Sequence, residues 1–321
     1  MAPQEMMMTD DVLTFVENGV GRIRLNRPRA IHALTADMCG AINDALLAWA
    51  RDDSVVAVMI DHLPAPDGDP KLSRGFCAGG DIALIARSAA ADGVEAERFF
   101  SVEYRMNHLL FVYEKPIVAF MDGIVMGGGV GLSLPARYRV ATERTTFAMP
   151  ETGIGLFPDV GASWFLNRLP GRIGLFMGLT GARLNVSDAL RVGLADMAIL
   201  PDQVESLIER LKEERWTGES AADDNRLFRL VKQLEHPDYR ALPTSELARH
   251  EQDIARLSAG DELPAIVENL LAAEIDSDWW QGCVKNLRGG CPVTAWLVWT
   301  QLKKAQQMSL KDVFRMEYTM A

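Results

Sequence analysis

The chain has 321 residues, 48% of them apolar and 24% charged, with a formal net charge of −11 and a pI near 5.0. Such a composition sustains a large buried core and excludes disorder as the main state. The acidic balance speaks against nucleic acid as a principal partner. No apolar run reaches the ~18 residues that a membrane-spanning helix needs, so no membrane partner is expected. Cys39, Cys77, Cys283 and Cys291 form no CxxC pair and have no His at ligand spacing. They read as reduced thiols in a cytoplasmic compartment, with no metal site.

In chain order, residues 1–11 carry Met6-Met7-Met8 but no basic n-region, and are expected to be a short disordered lead-in, not a signal peptide. Residues 12–26 alternate apolar and polar around Asn18-Gly19, a hairpin signal, and Asn26-Arg27-Pro28 ends it. Thr35 reads as the N-cap of a helix through about Trp49. Val55 to Ile60 is a buried strand candidate and Leu63 to Ser73 a loop. A strand end at Gly75-Phe76-Cys77 and a turn at Gly79-Gly80 lead into a helix from about Asp81.

Periodicity predicts a helix over Glu95 to Val112 and strands at Pro116 to Met121 and Tyr138 to Thr142. Strands alternating with helices across short glycine turns imply a largely parallel sheet covered on both faces. After about Leu200 the composition changes. Residues 201–275 are charged and helical, with breaks at Pro237, Pro243 and Pro264, and Pro292 to Ala321 is one amphipathic helix or two. The expected organisation is an α/β core over 12–200 followed by a helical region over 201–321.

The most informative stretch is Phe147 to Gly161, where Glu151 and Asp159 lie among apolar residues and glycines with no basic neighbour. Carboxylates so placed have their charged form disfavoured, which suits acid, base or nucleophile work. Upstream, Gly127-Gly128-Gly129-Val130-Gly131 follows an apolar strand. A dinucleotide fingerprint is not satisfied there, because the third glycine is missing. Free N–H groups at a strand-to-helix bend fit an oxyanion site better. A second small-residue bend, Arg74 through Ile82, needs a sheet neighbour before it can converge on the same point, and periodicity cannot supply one.

No G-x-S-x-G elbow exists, and Cys77, with no nearby His, reads as packing. Glu103 lies on a helix among Glu97, Arg98 and Arg105, and alone it reads as a solvated carboxylate. Trp279, Trp280, Trp296 and Trp299 read as core or interface.

Together, Asn26 to Ala30, Arg74 to Ile82, Asp122 to Leu132 and Phe147 to Gly161 resemble the crotonase (enoyl-CoA hydratase/isomerase) superfamily, most of all its thioester-hydrolysing branch. The resemblance implies an α/β crotonase-like spiral of ββα units with a helical C-terminal region. It implies hydrolysis of 3-hydroxyisobutyryl-CoA, or a similar short 3-hydroxyacyl-CoA, as in valine catabolism. It also implies an oxyanion hole from the N–H groups of Gly80 and Gly128, each donor worth about 3–4 kcal/mol in the transition state.

By the same resemblance, one catalytic Glu of the hydratases stands where this chain has Gly131, and the other where it keeps Glu151. Glu151 then acts on the acyl group as nucleophile or base. Asp159 and Glu103 contact substrate near its 3-hydroxyl, with Ala78, Asp81, Ile82 and Gly128 lining the site. Arg29, with Arg27 and Arg74, would meet the CoA phosphates; an ordinary surface arginine is the competing reading for each.

No separate cofactor is expected, since CoA is part of the substrate, and a homo-oligomer is compatible with the resemblance. A mitochondrial matrix location is the alternative to the cytoplasm in a eukaryote. In the family the helix holding Met316 to Ala321 is followed by a further segment, so either a less covered acyl pocket or a changed oligomerisation is expected here. The rival readings are an enoyl-CoA hydratase or isomerase, and a catalytically idle acyl-CoA binder.

Overall fold

The computed structural model of the protein describes residues 9–65, 68–69 and 71–321. The first two strands, β1 (Val12–Glu17) and β2 (Val20–Leu25), pair antiparallel with Glu17 opposite Val20. Asn18 and Gly19 between them both take positive φ (45° and 74°), as a tight hairpin turn of this hand requires. The helix α1 (Ala36–Ala50) starts where the Thr35 hydroxyl accepts from the Met38 N–H, and it buries Met38, Ile42, Ala45, Leu46 and Trp49.

The core continues through β3 (Ala57–His62), α2 (Ile82–Ala89), α3 (Val94–Phe111), β4 (Ile117–Met121), β5 (Ile124–Met126) and α4 (Gly128–Ser133). It closes with β6 (Tyr138–Thr142), β7 (Thr146–Ala148), α5 (Ala162–Phe165), α6 (Ile173–Thr180), α7 (Val186–Arg191) and β8 (Met197–Ile199). Six strands form one sheet in the order β1-β2-β3-β4-β6-β8, parallel from β2 onward. A smaller sheet pairs β5 with β7 in parallel. Isolated bridges from Gly75 to Gly123 and from Cys77 to Val125 join the Arg74–Ile82 bend to it. That bend therefore reaches the glycine-rich turn as two bridges, without a full strand of its own.

Beyond the sheet come α8 (Gln203–Glu213), α9 (Ser220–Lys232), α10 (Glu246–Leu257), α11 (Leu263–Ala272), α12 (Asp278–Gly289), α13 (Pro292–Ala305) and α14 (Leu310–Met320). Alternate strand residues face opposite sides, so the sheet has two cores. On one side Ala57, Met59, Val118, Phe120 and Val140 meet Leu207, Ile208, Leu211, Leu227 and Val231 of α8 and α9. On the other, Val58, Ile60 and Ala119 belong to a cluster that includes α1, α3 and α6 and runs on through Trp280, Val298 and Phe314. The helical region thus divides between the two faces, and its last helix packs back on α3 and α5.

Several expectations shift in detail. Most of the lead-in, residues 1–8, lies outside the described residues. Its end is tied down, since Asp10 and Asp11 each accept a hydrogen bond through a backbone carbonyl from Asn26. Pro264 opens α11 at its first turn instead of breaking a helix, because a helix start has no use for that N–H. Pro292 to Ala321 resolves into two helices, with Ser309 capping the second. Among the described residues no helix is long and apolar enough to cross a membrane, and no cluster of His, Cys, Asp or Glu could hold a metal ion.

Candidate active site

The two glycine bends converge. The bridge from Cys77 to Val125 sets Gly79-Gly80 against Gly127-Gly128, so that a Cβ placed on Gly79 would lie 3.3 Å from the Gly128 nitrogen. A Cβ on Gly128 would lie 3.4 Å from the Gly80 nitrogen. Among the described residues neither the Gly80 nor the Gly128 N–H has an acceptor, Gly128 because it opens α4 and helix starts leave such donors free. Two unspent donors this close are the arrangement an oxyanion hole needs.

Three carboxylates surround them. Glu151 opens a short 3-10 turn (Glu151–Ile154) after β7, is 5% exposed, and brings Oε1 to 3.0 Å from where a Cβ on Gly127 would stand. Its Oε2 is buried without a partner. Burial first, and the Asp159 charge second, hold its carboxyl well above the usual range. Glu103 comes from α3 and lies under Gly128, where a Cβ would stand 2.4 Å from its Oε1. A side chain at 128 would push that carboxylate from its place. At 2% exposure Glu103 is not the solvated helix residue its charged neighbours suggested. Burial, then Asp159 and Glu151, raise its pKa strongly, and its Oε1 is also unpartnered. The half-buried Asp159 accepts from the Tyr104 hydroxyl at 2.6 Å, and burial pushes it up to about 6 against that bond.

The loop holding Asp159 is pinned on both sides of a strained residue. Val160 takes φ +51°, a conformation that costs a β-branched residue about 1–3 kcal/mol. Tyr104 holds the residue before it. After it, Glu317 of α14 accepts from the Gly161 and Ser163 N–H groups at 2.7 and 2.9 Å. Burial raises Glu317 to about 8, opposed by those two donors. Neither Tyr104 nor Glu317 carried a signal in the sequence, since both act across the fold.

Other expected site residues stand apart. Asp81 caps α2 by accepting from the Leu84 N–H and pairs with Arg27 at 2.8 Å, so its carboxylate serves structure. Although burial opposes it, the Arg27 hydrogen bond and the Leu84 N–H hold its pKa below the usual range. Ile82 is exposed, and the Ala78 N–H is spent on the Ile31 carbonyl. Arg27 pairs with Asp81 and Asp11 and donates to the Ala33 carbonyl, so part of its hydrogen-bonding capacity is already spent within the fold. Arg29 and Arg74 are exposed and form no ion pair among the described residues. Cys77 is a buried packing residue whose thiol is pushed up to about 12 by burial. Trp280 and Trp299 are core, while Trp296 is exposed.

Gly131 has a neighbour that the sequence did not reveal. A Cβ there would lie 2.6 Å from Asn107 Nδ2 and 2.8 Å from Val160 Cβ, so a larger residue would displace one of these side chains. Both polar atoms of Asn107 are buried without a partner.

Paired backbone donors beside buried, uncompensated carboxylates are the equipment that carbonyl chemistry uses. The chain belongs to the enoyl-CoA hydratase/isomerase family, whose model matches residues 20–321. It is 39% identical over 301 residues to the mitochondrial 3-hydroxyisobutyryl-CoA hydrolase of Danio rerio, covering 94% of this chain and 75% of that one. Among solved structures it is similar to a carnitinyl-CoA dehydratase from Mycobacterium thermoresistibile, with a TM-score of 0.83 and 36% identity over 97% of this chain and 84% of that one. It is also similar to an enoyl-CoA hydratase from Rhodobacter sphaeroides 2.4.1, with a TM-score of 0.79 and 37% identity over 96% and 83%. The fold is thus that of crotonase-like enzymes.

Proposed function

We infer that the protein hydrolyses the thioester of 3-hydroxyisobutyryl-CoA to the free acid and CoA, the activity for which its Danio rerio relative is named. The observation that carries the chemistry is Glu151, a buried carboxyl with one oxygen unpartnered, beside the free N–H groups of Gly80 and Gly128. The thioester oxygen accepts from both N–H groups as negative charge develops on it. Ionised Glu151 either takes a proton from the water that attacks the carbonyl carbon, or attacks that carbon itself to give an anhydride that water then opens. In both routes the C–S bond breaks and CoA leaves as a thiolate that takes up a proton. In this reading Asp159 and Glu103 face the acyl group, and the exposed Arg29 and Arg74 meet the CoA phosphates.

The reaction as written calls for no metal or redox group. An aqueous compartment fits it; the relative's mitochondrial designation favours the matrix over the cytoplasm for a eukaryotic source. Assembly into a homo-oligomer is compatible with this reading.

A hydratase needs a second acid or base at the acyl chain, and Gly131, which has no side chain, supplies none at that position. The test is release of CoA thiol from 3-hydroxyisobutyryl-CoA, run beside hydration of crotonyl-CoA. Thiol release without hydration is expected. Hydration without release would return the chain to the hydratases. Neither activity, with binding intact, would leave an idle acyl-CoA binder. Oxygen label from water found in the Glu151 carboxyl after a single turnover would select the anhydride route.

A further inference from the structure

Asn107 is 0% exposed, and neither its Nδ2 nor its Oδ1 has a hydrogen-bond partner among the described residues. A buried amide left open at both ends is costly, and native structures keep such groups where something else completes them. Its surroundings say what that is. Asn107 lies one turn after Glu103 on α3, so the two side chains share a face. Glu103 abuts Gly128 and Asn107 abuts Gly131, so the pair runs alongside the first turn of α4. Val160, beside Asp159, stands against the same Gly131 position as Asn107.

The distance fits the substrate. Three residues of helix advance about 4.5 Å. From a thioester carbonyl carbon to an oxygen on the third carbon of the acyl chain is three bonds, a span of roughly 4 Å. An acyl group whose carbonyl oxygen is held at the Gly128 N–H therefore has its 3-hydroxyl within reach of Asn107. A hydroxyl both donates and accepts, which is what the open Oδ1 and Nδ2 together require. A methyl group would satisfy neither.

We propose that Asn107 binds the 3-hydroxyl of the acyl group, Oδ1 accepting from it and Nδ2 donating to it, and so selects 3-hydroxyacyl-CoA over unsubstituted acyl-CoA. This rests on the thioesterase reading and extends it to a residue that sets specificity. A site that pairs a buried hydroxyl rejects the analogue lacking it by factors that reach ~10⁴, because its polar groups are then left open.

The experiment compares kcat/KM for 3-hydroxyisobutyryl-CoA and isobutyryl-CoA in the parent and in Asn107→Leu, close in size but without polar atoms. The ratio of the two values should fall by at least tenfold, through loss on the hydroxylated substrate, with isobutyryl-CoA hydrolysed as before or faster. A ratio that falls less than tenfold, or a variant dead toward both thioesters, overturns the proposal and leaves Asn107 a packing residue or the holder of a structural water. If the leucine variant does not fold, Asn107→Ala, which also lacks polar side-chain atoms, is read by the same ratio. A parent that cleaves neither thioester would instead strike at the thioesterase reading itself, so the two failures are distinct.

Discussion

At the scale of single residues the site is a cluster of acids that the protein does not neutralise. Burial raises the pKa of Glu103, Glu151 and Asp159; the Asp159 charge raises Glu151 and Glu103 further, and Glu151 adds to Glu103. A base or nucleophile must be ionised to act, so activity should rise with pH along a limb displaced above the ordinary carboxylate value of about 4. Asp159→Asn removes a negative charge beside Glu151 and should move that limb toward acid, read in the pH profile of kcat/KM. A limb that stays in place would mean Glu151 does not titrate on it.

Glu151→Ala should lower thioester cleavage at least about a hundredfold while leaving CoA-ester binding largely intact. Residual turnover above a hundredth of the parent's would sink its assignment. Much of this was visible in the sequence, because a carboxylate in an apolar, glycine-bearing segment announces its own burial. Glu103 was not legible in the same way. Its sequence neighbours are charged and face water, and only the packing of α3 against α4 turns it inward. Asn107 had no signal at all, since an amide on an amphipathic helix looks the same whether it faces solvent or substrate.

At the scale of elements, α14 matters through one carboxylate. Glu317 spans 156 and 154 residues of sequence to reach the Gly161 and Ser163 N–H groups, fixing the loop in which Val160 holds its strained conformation. Glu317→Ala leaves two buried donors unpaired, each costing about 1–3 kcal/mol. The urea midpoint should fall accordingly at pH 6, with unchanged slope; a midpoint equal to the parent's would show that water replaces the clamp at no cost. Elements with local signals, such as the Asn18-Gly19 hairpin and the Thr35-capped helix, were readable in advance. The β5-β7 sheet was not, because strands of three residues carry no period, and their pairing depends on partners far along the chain. The convergence of Gly80 with Gly128 depends on that same small sheet.

At the scale of the whole molecule, the buried acids set how stability varies with pH. Glu317 is raised to about 8, Asp159 to about 6, and Glu151 and Glu103 well above their usual value. Between the unfolded value near 4.3 and the raised folded value, the native state holds a proton that the unfolded chain has released. Stability from these groups is therefore fully present at acid pH and is lost as pH rises through the folded pKa values. The buried histidines act oppositely, since burial lowers His32 to about 3 and His62 to about 4. They weaken the fold as pH falls below the unfolded His value of about 6.5. The two trends together give a stability maximum bounded on both sides by buried groups, with the alkaline side set largely by the site. Glu151→Gln, which cannot ionise, should then raise Tm at pH 8 and leave it nearly unchanged at pH 4, while abolishing turnover. A scan of Tm against pH for parent and variant reads both effects. If the two curves stay parallel from pH 4 to 8, Glu151 does not carry its proton into the folded state, and the low polarity inferred for its surroundings is wrong.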